Sequence, residues 1–129
     1  EYAKQEIENN PELEFGHYIM AEVHRLKGES GNAIKSYEKS ISYNGRYIEG
    51  LLGLASLKFQ QNYLDEAREL YERAKRYDNN NPKIWKQLGK VYRASGQSGL
   101  AVEAFETYLK LNPGAQDQRQ IEATIKRLK

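Results

Sequence analysis

Trp85-Lys86-Gln87-Leu88-Gly89-Lys90-Val91-Tyr92, then Ala101-Val102-Glu103-Ala104-Phe105, then Leu111-Asn112-Pro113, is the segment from which the architecture of this chain follows. Trp85, Leu88, Gly89 and Tyr92 stand at i, i+3, i+4 and i+7, which puts them on one face of a helix. Ala101, Phe105, Tyr108 and Leu111 mark one face of a second helix. Between them Ser95-Gly96-Gln97-Ser98 breaks the pattern. Gly96 allows a positive φ after the first helix, and Ser98 offers a hydroxyl to the free amides of the next. A single helical hairpin leaves its apolar face open, so copies of it are expected on either side.

The copies are present. Steps of 34 residues back from Leu88 and Gly89 reach Leu54 and Ala55, then Met20 and Ala21. Ala101 maps onto Ala67 and Ala33, Phe105 onto Tyr71 and Tyr37, and Leu111 onto Tyr77 and Tyr43. The turn residue Gly96 maps onto Asn62 and Gly28, both tolerant of left-handed backbone angles. The order Trp, Leu-Gly, Tyr, Ala, Phe, Pro on this period resembles the tetratricopeptide-repeat family over nearly the whole chain. The resemblance implies an all-α fold, a right-handed superhelical solenoid of helix-turn-helix repeats.

In that frame residues 1–129 are one domain, with repeats at 14–47, 48–81 and 82–115 and a capping helix at 116–129. Helices are expected near 14–27, 30–43, 46–61 and 64–77, with Pro82 opening a further one. Ile121, Ile125 and Leu128 form the one apolar stripe of the tail, as a cap over the last repeat requires. Residues 1–13 read as the end of a preceding repeat's second helix or as an N-terminal cap. The start at Glu1 rather than Met points to a fragment or a processed chain. Some slots depart from the pattern. Lys58 stands where an aromatic is usual, Tyr108 where the earlier copies have Ala74 and Ser40, and Gly45 and Asn79 replace the closing proline. The ring of Tyr108 is expected to hold the cap helix further out.

Composition sets bounds on chemistry. The net charge is +2 and 29% of residues are charged, an ordinary polar surface that calls for no polyanionic partner. Without cysteine there is no disulfide, thiolate or Cys-zinc chemistry, which suits oxidising and reducing compartments alike. No apolar run is long enough to span a membrane, so no direct insertion is expected, and the compartment stays open. His17 and His24 lie seven residues apart on one expected helix, roughly 10 Å along its axis. They occupy packing slots and are expected as core or boundary residues, not metal ligands. Nucleophile elbows, phosphate-cradling glycine loops and clustered acids at metal spacing are all lacking. Glu66, Glu69, Glu72 and Arg68, Arg73, Arg76 read as a solvated face with i, i+4 pairs. The expectation is a chain with no enzyme activity and no cofactor.

Function is then sought on the other side of each first helix. The packing stripe uses repeat positions four, seven, eight and eleven. Positions two, five, nine and twelve lie about 130° round at roughly 100° per residue. In the family resembled, that second stripe lines a concave groove that binds peptides. Repeat one offers Phe15, Tyr18, Glu22 and Arg25; repeat two Glu49, Leu52, Ser56 and Phe59; repeat three Lys83, Lys86, Lys90 and Arg93. The last set is a line of four cations, expected either to meet an acidic peptide or to be partly neutralised by Glu49 across the groove. The expected partner is therefore a protein or peptide with acidic and apolar residues. Some three-repeat members hold the acidic tails of heat-shock chaperones in a carboxylate clamp. The matching positions are Tyr18, Glu22, Gly53, Lys83 and Gln87, where only Lys83 agrees, and a shift by one repeat fits worse. The clamp is not expected. Self-association through open solenoid ends is the alternative function. The near-neutral total charge weighs against nucleic acid.

Overall fold

Residues 11–129, which the computed structural model describes, form seven helices and no strand. They are α1 (Pro11–Leu26), α2 (Ser30–Tyr43), α3 (Ile48–Gln60), α4 (Leu64–Tyr77), α5 (Pro82–Ala94), α6 (Ser98–Leu111) and α7 (Gln118–Leu128). The helix end expected within residues 1–13 falls outside the described residues up to position 10. Its described part, 11–13, is the first turn of α1.

Three equivalent turns make the hairpins α1–α2, α3–α4 and α5–α6. Gly28, Asn62 and Gly96 take φ of 79°, 67° and 76°. The amide of the following residue reaches back five positions: Glu29 to the His24 carbonyl, Tyr63 to Lys58 and Gln97 to Tyr92, each at 2.8 Å. This satisfies carbonyls that the helix end would otherwise leave free. Ser98 does not cap α6 as expected. It is the first residue of that helix, and Gln97 in the cap position makes no side-chain bond. Asn81 does cap α5, its side chain accepting from the Lys83 amide at 3.0 Å, with Pro82 following.

Each helix packs on its neighbours in sequence, which makes a solenoid. Small residues let the backbones approach. Ala33, Ala67 and Ala101 are fully buried on the second helices, and Ala21 and Ala55 on the first. The larger fillers of the core are Tyr37, Tyr71 and Phe105 at one repeat position, with Leu51, Leu54, Leu88 and Val91. Phe105 leaves room for no side chain on Gly89, where an added Cβ would lie 2.5 Å from the ring Cε1. Gly53 gives way to Tyr37 in the same manner.

The register has one exception. Met20, in phase with Leu54 and Leu88, is 51% exposed, whereas Leu54 is 3% exposed. Leu54 lies in a core cluster with Tyr37 and Ala33 of the preceding helix, α2. No helix precedes α1 among the described residues, so its face with Ile19, Met20, Val23 and Leu26 stays open. The charged face expected on α4 also differs. Glu66 pairs with Lys58 at 2.7 Å, Glu72 accepts from the Tyr92 hydroxyl at 2.5 Å, and Arg73 donates to the Gly45 carbonyl at 2.9 Å. These charges tie α4 to its neighbours instead of pairing along it. The histidines lie at boundaries: His17 stacks on Tyr43 at 5.3 Å, and His24 Nδ1 is 2.7 Å from Glu29.

The last helix is a lid on α6. Ile121 and Ile125 are buried against the main core, with Leu128 partly so. Asp117 precedes α7 but does not cap it with its side chain. Its carboxylate turns to the solenoid, accepting from the Tyr108 hydroxyl at 2.6 Å and pairing with Lys86 at 2.5 Å. The bulk of Tyr108 thus becomes a handle for the cap.

Leu54→Ala is expected to destabilise the fold by roughly 2–5 kcal/mol in urea unfolding, the range for a buried leucine. Gly89→Ala, despite the better helix propensity of alanine, is expected to cost ~1–2 kcal/mol through the clash with Phe105. The bonds from Lys86 and Tyr108 hold the Asp117 carboxyl below its ordinary range. Its stabilisation is therefore present above that range and lost as pH falls through the lowered value. Melting curves of Asp117→Asn should accordingly fall less steeply than wild type below about pH 4, the ordinary carboxyl range.

Candidate functional site: a groove along the first helices

The first helices of the hairpins, α1, α3 and α5, jointly wall a groove enclosing about 290 Å3. Of the residues expected there, Tyr18, Glu22 and Arg25 come from α1, Glu49, Leu52 and Ser56 from α3, and Lys83 from α5. Gly53 and Gln87 also line it. Phe59 does not; it is half-buried and packs against the main core. Lys90 and Arg93 are exposed on α5 but do not line this cavity.

Lys86 is also outside it. Its ammonium pairs with Asp117 and lies 5.6 Å from the Tyr108 ring centroid, facing a separate hollow beside the cap. The neutraliser of the cationic line is therefore Asp117 of the cap, not Glu49. Glu49 is exposed and makes no hydrogen bond or ion pair among the described residues. The same holds of Lys83, Lys90 and Arg93 for ion pairs.

Two floor residues belong to the second helices. Tyr37 and Tyr71 reach between the first helices, so that their ends line the groove while their rings fill the core. Each meets the residue at repeat position nine. The Tyr37 hydroxyl donates to Glu22, and Tyr71 interacts with Ser56. At the third station Phe105 has no hydroxyl, and Lys90 in the matching slot stays in solvent. Periodicity marks these aromatics as core. Only the hydroxyl separates Tyr from Phe at this slot, and hydrophobic patterning does not weigh that atom.

The electrostatics follow from these contacts. Burial by itself would raise the Glu22 carboxyl, but bonds from Arg25, at 2.7 Å, and from Tyr37 outweigh it and hold the group ionised below its ordinary range. Burial, then the Glu22 charge, pushes the Tyr37 phenol well up. Burial pushes Tyr71 up to about 12. Tyr47 likewise rises to about 12, through burial first and then Glu49. Both oxygens of Glu22 thus have partners, whereas Glu49 and Lys83 do not. Among the described residues no cluster of three His, Asp or Glu side chains could hold a metal. No helix there is long and apolar enough to cross a membrane.

Comparison with known proteins agrees with this geometry. Residues 53–115 match the family described as YpiA-like, C-terminal tetratricopeptide repeats, and residues 16–47 match the tetratricopeptide repeat. No curated protein matches the chain by sequence. Among solved structures, the first such domain of Spaghetti (RPAP3), bound to an HSP90 peptide, has a TM-score of 0.81 at 16% identity, covering 91% of this chain and 96% of that one. The Arabidopsis OM64 domain has a TM-score of 0.81 at 18% identity, with 92% and 95% covered. The Yersinia enterocolitica type III secretion chaperone SycD, in complex with a peptide of the translocator YopD, has a TM-score of 0.79 at 14% identity, with 88% and 89% covered. At these identities the likeness is one of fold. Two family matches along one register, a 34-residue phase kept by the turns, and these neighbours agree: the chain belongs to the tetratricopeptide-repeat family.

Proposed function

We propose that this chain is a protein-interaction scaffold that holds a peptide segment of a partner protein in the groove between α1, α3 and α5. The observation that carries the reading is the distribution of unmatched charge. Lys83, Lys90 and Arg93 follow one line on α5 without an ion pair among the described residues, beside the half-buried Leu52. Like charges so placed repel one another, and an acidic ligand relieves that repulsion. Leu52 supplies an apolar contact inside the polar rim, the usual anatomy of a recognition surface. Two of the structural neighbours, the Spaghetti domain and SycD, hold peptides of other proteins on the same fold. The acidic part of the segment is assigned to Lys83, Lys90 and Arg93, and its apolar part to Leu52 and Tyr18. Lys86 is assigned to the cap.

A second reading, self-assembly, has its own observation. Ile19, Met20, Val23 and Leu26 expose an apolar strip on α1, with Leu26 77% exposed. An exposed apolar strip of this kind supports head-to-tail or two-fold association. Light scattering over a concentration series separates the readings. A mass that grows with concentration, and returns to that of the monomer in Met20→Glu, supports assembly.

For the groove, the test is the double reversal Lys90→Glu with Arg93→Glu, read by fluorescence anisotropy against blocked peptides of Leu and Glu. Affinity is expected to fall by roughly tenfold, ~1.4 kcal/mol, more at low salt than at high salt. Helicity and melting should not change, since neither side chain is buried or paired. Peptide binding indifferent to the double reversal would sink the basic-wall assignment.

A further inference from the structure

We propose that the α1 end of the groove is a seat for one positively charged side chain of the bound segment, with its ammonium or guanidinium lying on the Tyr18 ring and facing the Glu49 carboxylate. This rests on the groove reading above and gives the ligand a second chemical requirement, a basic residue as well as acidic and apolar ones.

The observations are geometric. Tyr18 is the centre of a ring cluster. Tyr47 meets it edge-to-face at 5.7 Å, Tyr37 is tilted against it at 6.1 Å, and Phe15 lies at 6.5 Å. Tyr37 is wholly buried and Tyr47 half-buried, so they fix the position of Tyr18, which itself lines the groove. Ring faces carry negative potential, and a cation within about 6 Å of the centroid is attracted to them. Glu49, on the same lining, has no hydrogen-bond or ion-pair partner among the described residues. Its charge reaches both Tyr18 and Tyr47. A free carboxylate beside an aromatic surface in a concave site is the composition that holds ammonium and guanidinium groups.

The other charges on this cavity are Glu22, Arg25 and Lys83. Glu22 and Arg25 neutralise each other at 2.7 Å, and Tyr37 takes the second Glu22 oxygen. Together they carry no net charge. That leaves one free anion, Glu49 on α3, and one free cation, Lys83 on α5. The groove is therefore polar along its length. It passes from Tyr18 on α1 through Glu49 on α3 to Lys83 on α5. A segment with one basic residue and one acidic residue in the right order matches it, and the reverse order meets like charge at both stations. The acid–base order of the segment thus sets its direction in the groove. A uniformly acidic peptide would bring a negative charge against Glu49.

The test uses blocked, fluorescein-labelled hexapeptides of Leu, Ala and Glu, with Arg scanned through every position, and the same set with citrulline, a neutral near-isostere, for Arg. Anisotropy should show the best Arg peptide binding about tenfold more tightly than its citrulline partner. In Glu49→Gln that preference should vanish, while the Arg-free Leu/Glu peptides bind more tightly, since the like charge they meet at that station is gone. In Glu49→Lys the Arg peptide should become the weaker of the pair. Glu49 is exposed and unpaired, so both variants are expected to melt as wild type does. Equal binding of Arg and citrulline peptides, or a preference that survives Glu49→Gln, overturns the cation seat. If Arg-free peptides still bind in that case, the groove reading stands without it. If no peptide of either set binds, both fail.

Discussion

A single side-chain position links the core of this protein to its surface. The aromatic residue in the middle of each second helix, Tyr37, Tyr71 or Phe105, is driven into the seam between helices, where it is almost wholly buried. To get there it needs a neighbour with no side chain or a small one. Gly53 yields to Tyr37 and Gly89 to Phe105. Burying an aromatic ring is among the largest favourable contributions a single residue makes to folding. Stacked hairpins therefore gain their stability at the positions where the second helices touch the first. The outer ends of two of these rings then emerge as the floor of the groove. Packing and the floor of the groove use the same residues.

This coupling explains why the floor is polar where it is. A phenol carried into a dry seam needs a hydrogen-bond partner. Tyr37 finds the Glu22 carboxylate, and Glu22 in turn is held by Arg25. Three groups that read separately as a groove acid, a groove base and a core ring are one closed network. A residue in the groove-facing stripe can thus be committed to the scaffold. Lys86 is the clearest instance. It faces the groove by periodicity, yet its ammonium is bound to Asp117, which ties α7 to the last hairpin. Glu49 and Lys83, by contrast, have no such tie, and they differ from their neighbours in availability rather than in residue type.

Much of the fold was legible in the sequence because it is set by short-range rules repeated at one period. Gly28, Asn62 and Gly96 sit at the three turns and have the positive φ that their residue types favour. Helices α2 and α4 occupy the spans expected, and Ile121 and Ile125 face the core. What failed to read had long-range causes. Met20 has the right phase but no helix before it among the described residues, and phase alone does not report which neighbour covers a face. The charges of α4 were paired along their own helix in the sequence; in space Arg68 does pair along it with Asp65, whereas Glu66, Arg73 and Glu72 bond across to Lys58, Gly45 and Tyr92. The candidate site was legible as a stripe. Its division into engaged and free charges was not, since that depends on Asp117, a residue 31 positions from Lys86.

The repeat architecture also explains how one scaffold comes to have a graded surface. Position two of the three repeats reads Phe15, Glu49 and Lys83, and position nine reads Glu22, Ser56 and Lys90. The tightest packing positions are held to small or aromatic residues by the contacts they make: Ala21, Ala55 and Gly89 at one, Ala33, Ala67 and Ala101 at another, Tyr37, Tyr71 and Phe105 at a third. The groove positions are not so held, because an exposed substitution changes stability by only a few tenths of a kcal/mol. Stability therefore constrains the inner stripe and leaves the outer one open to variation in charge. Stacking then converts sequence order into spatial order, so that Tyr18 of the first repeat, Glu49 of the second and Lys83 of the third line one channel. A solenoid needs no loop or inserted element to present such a gradient. Three different residues at one repeat position suffice, provided the rings beneath hold the helices in register.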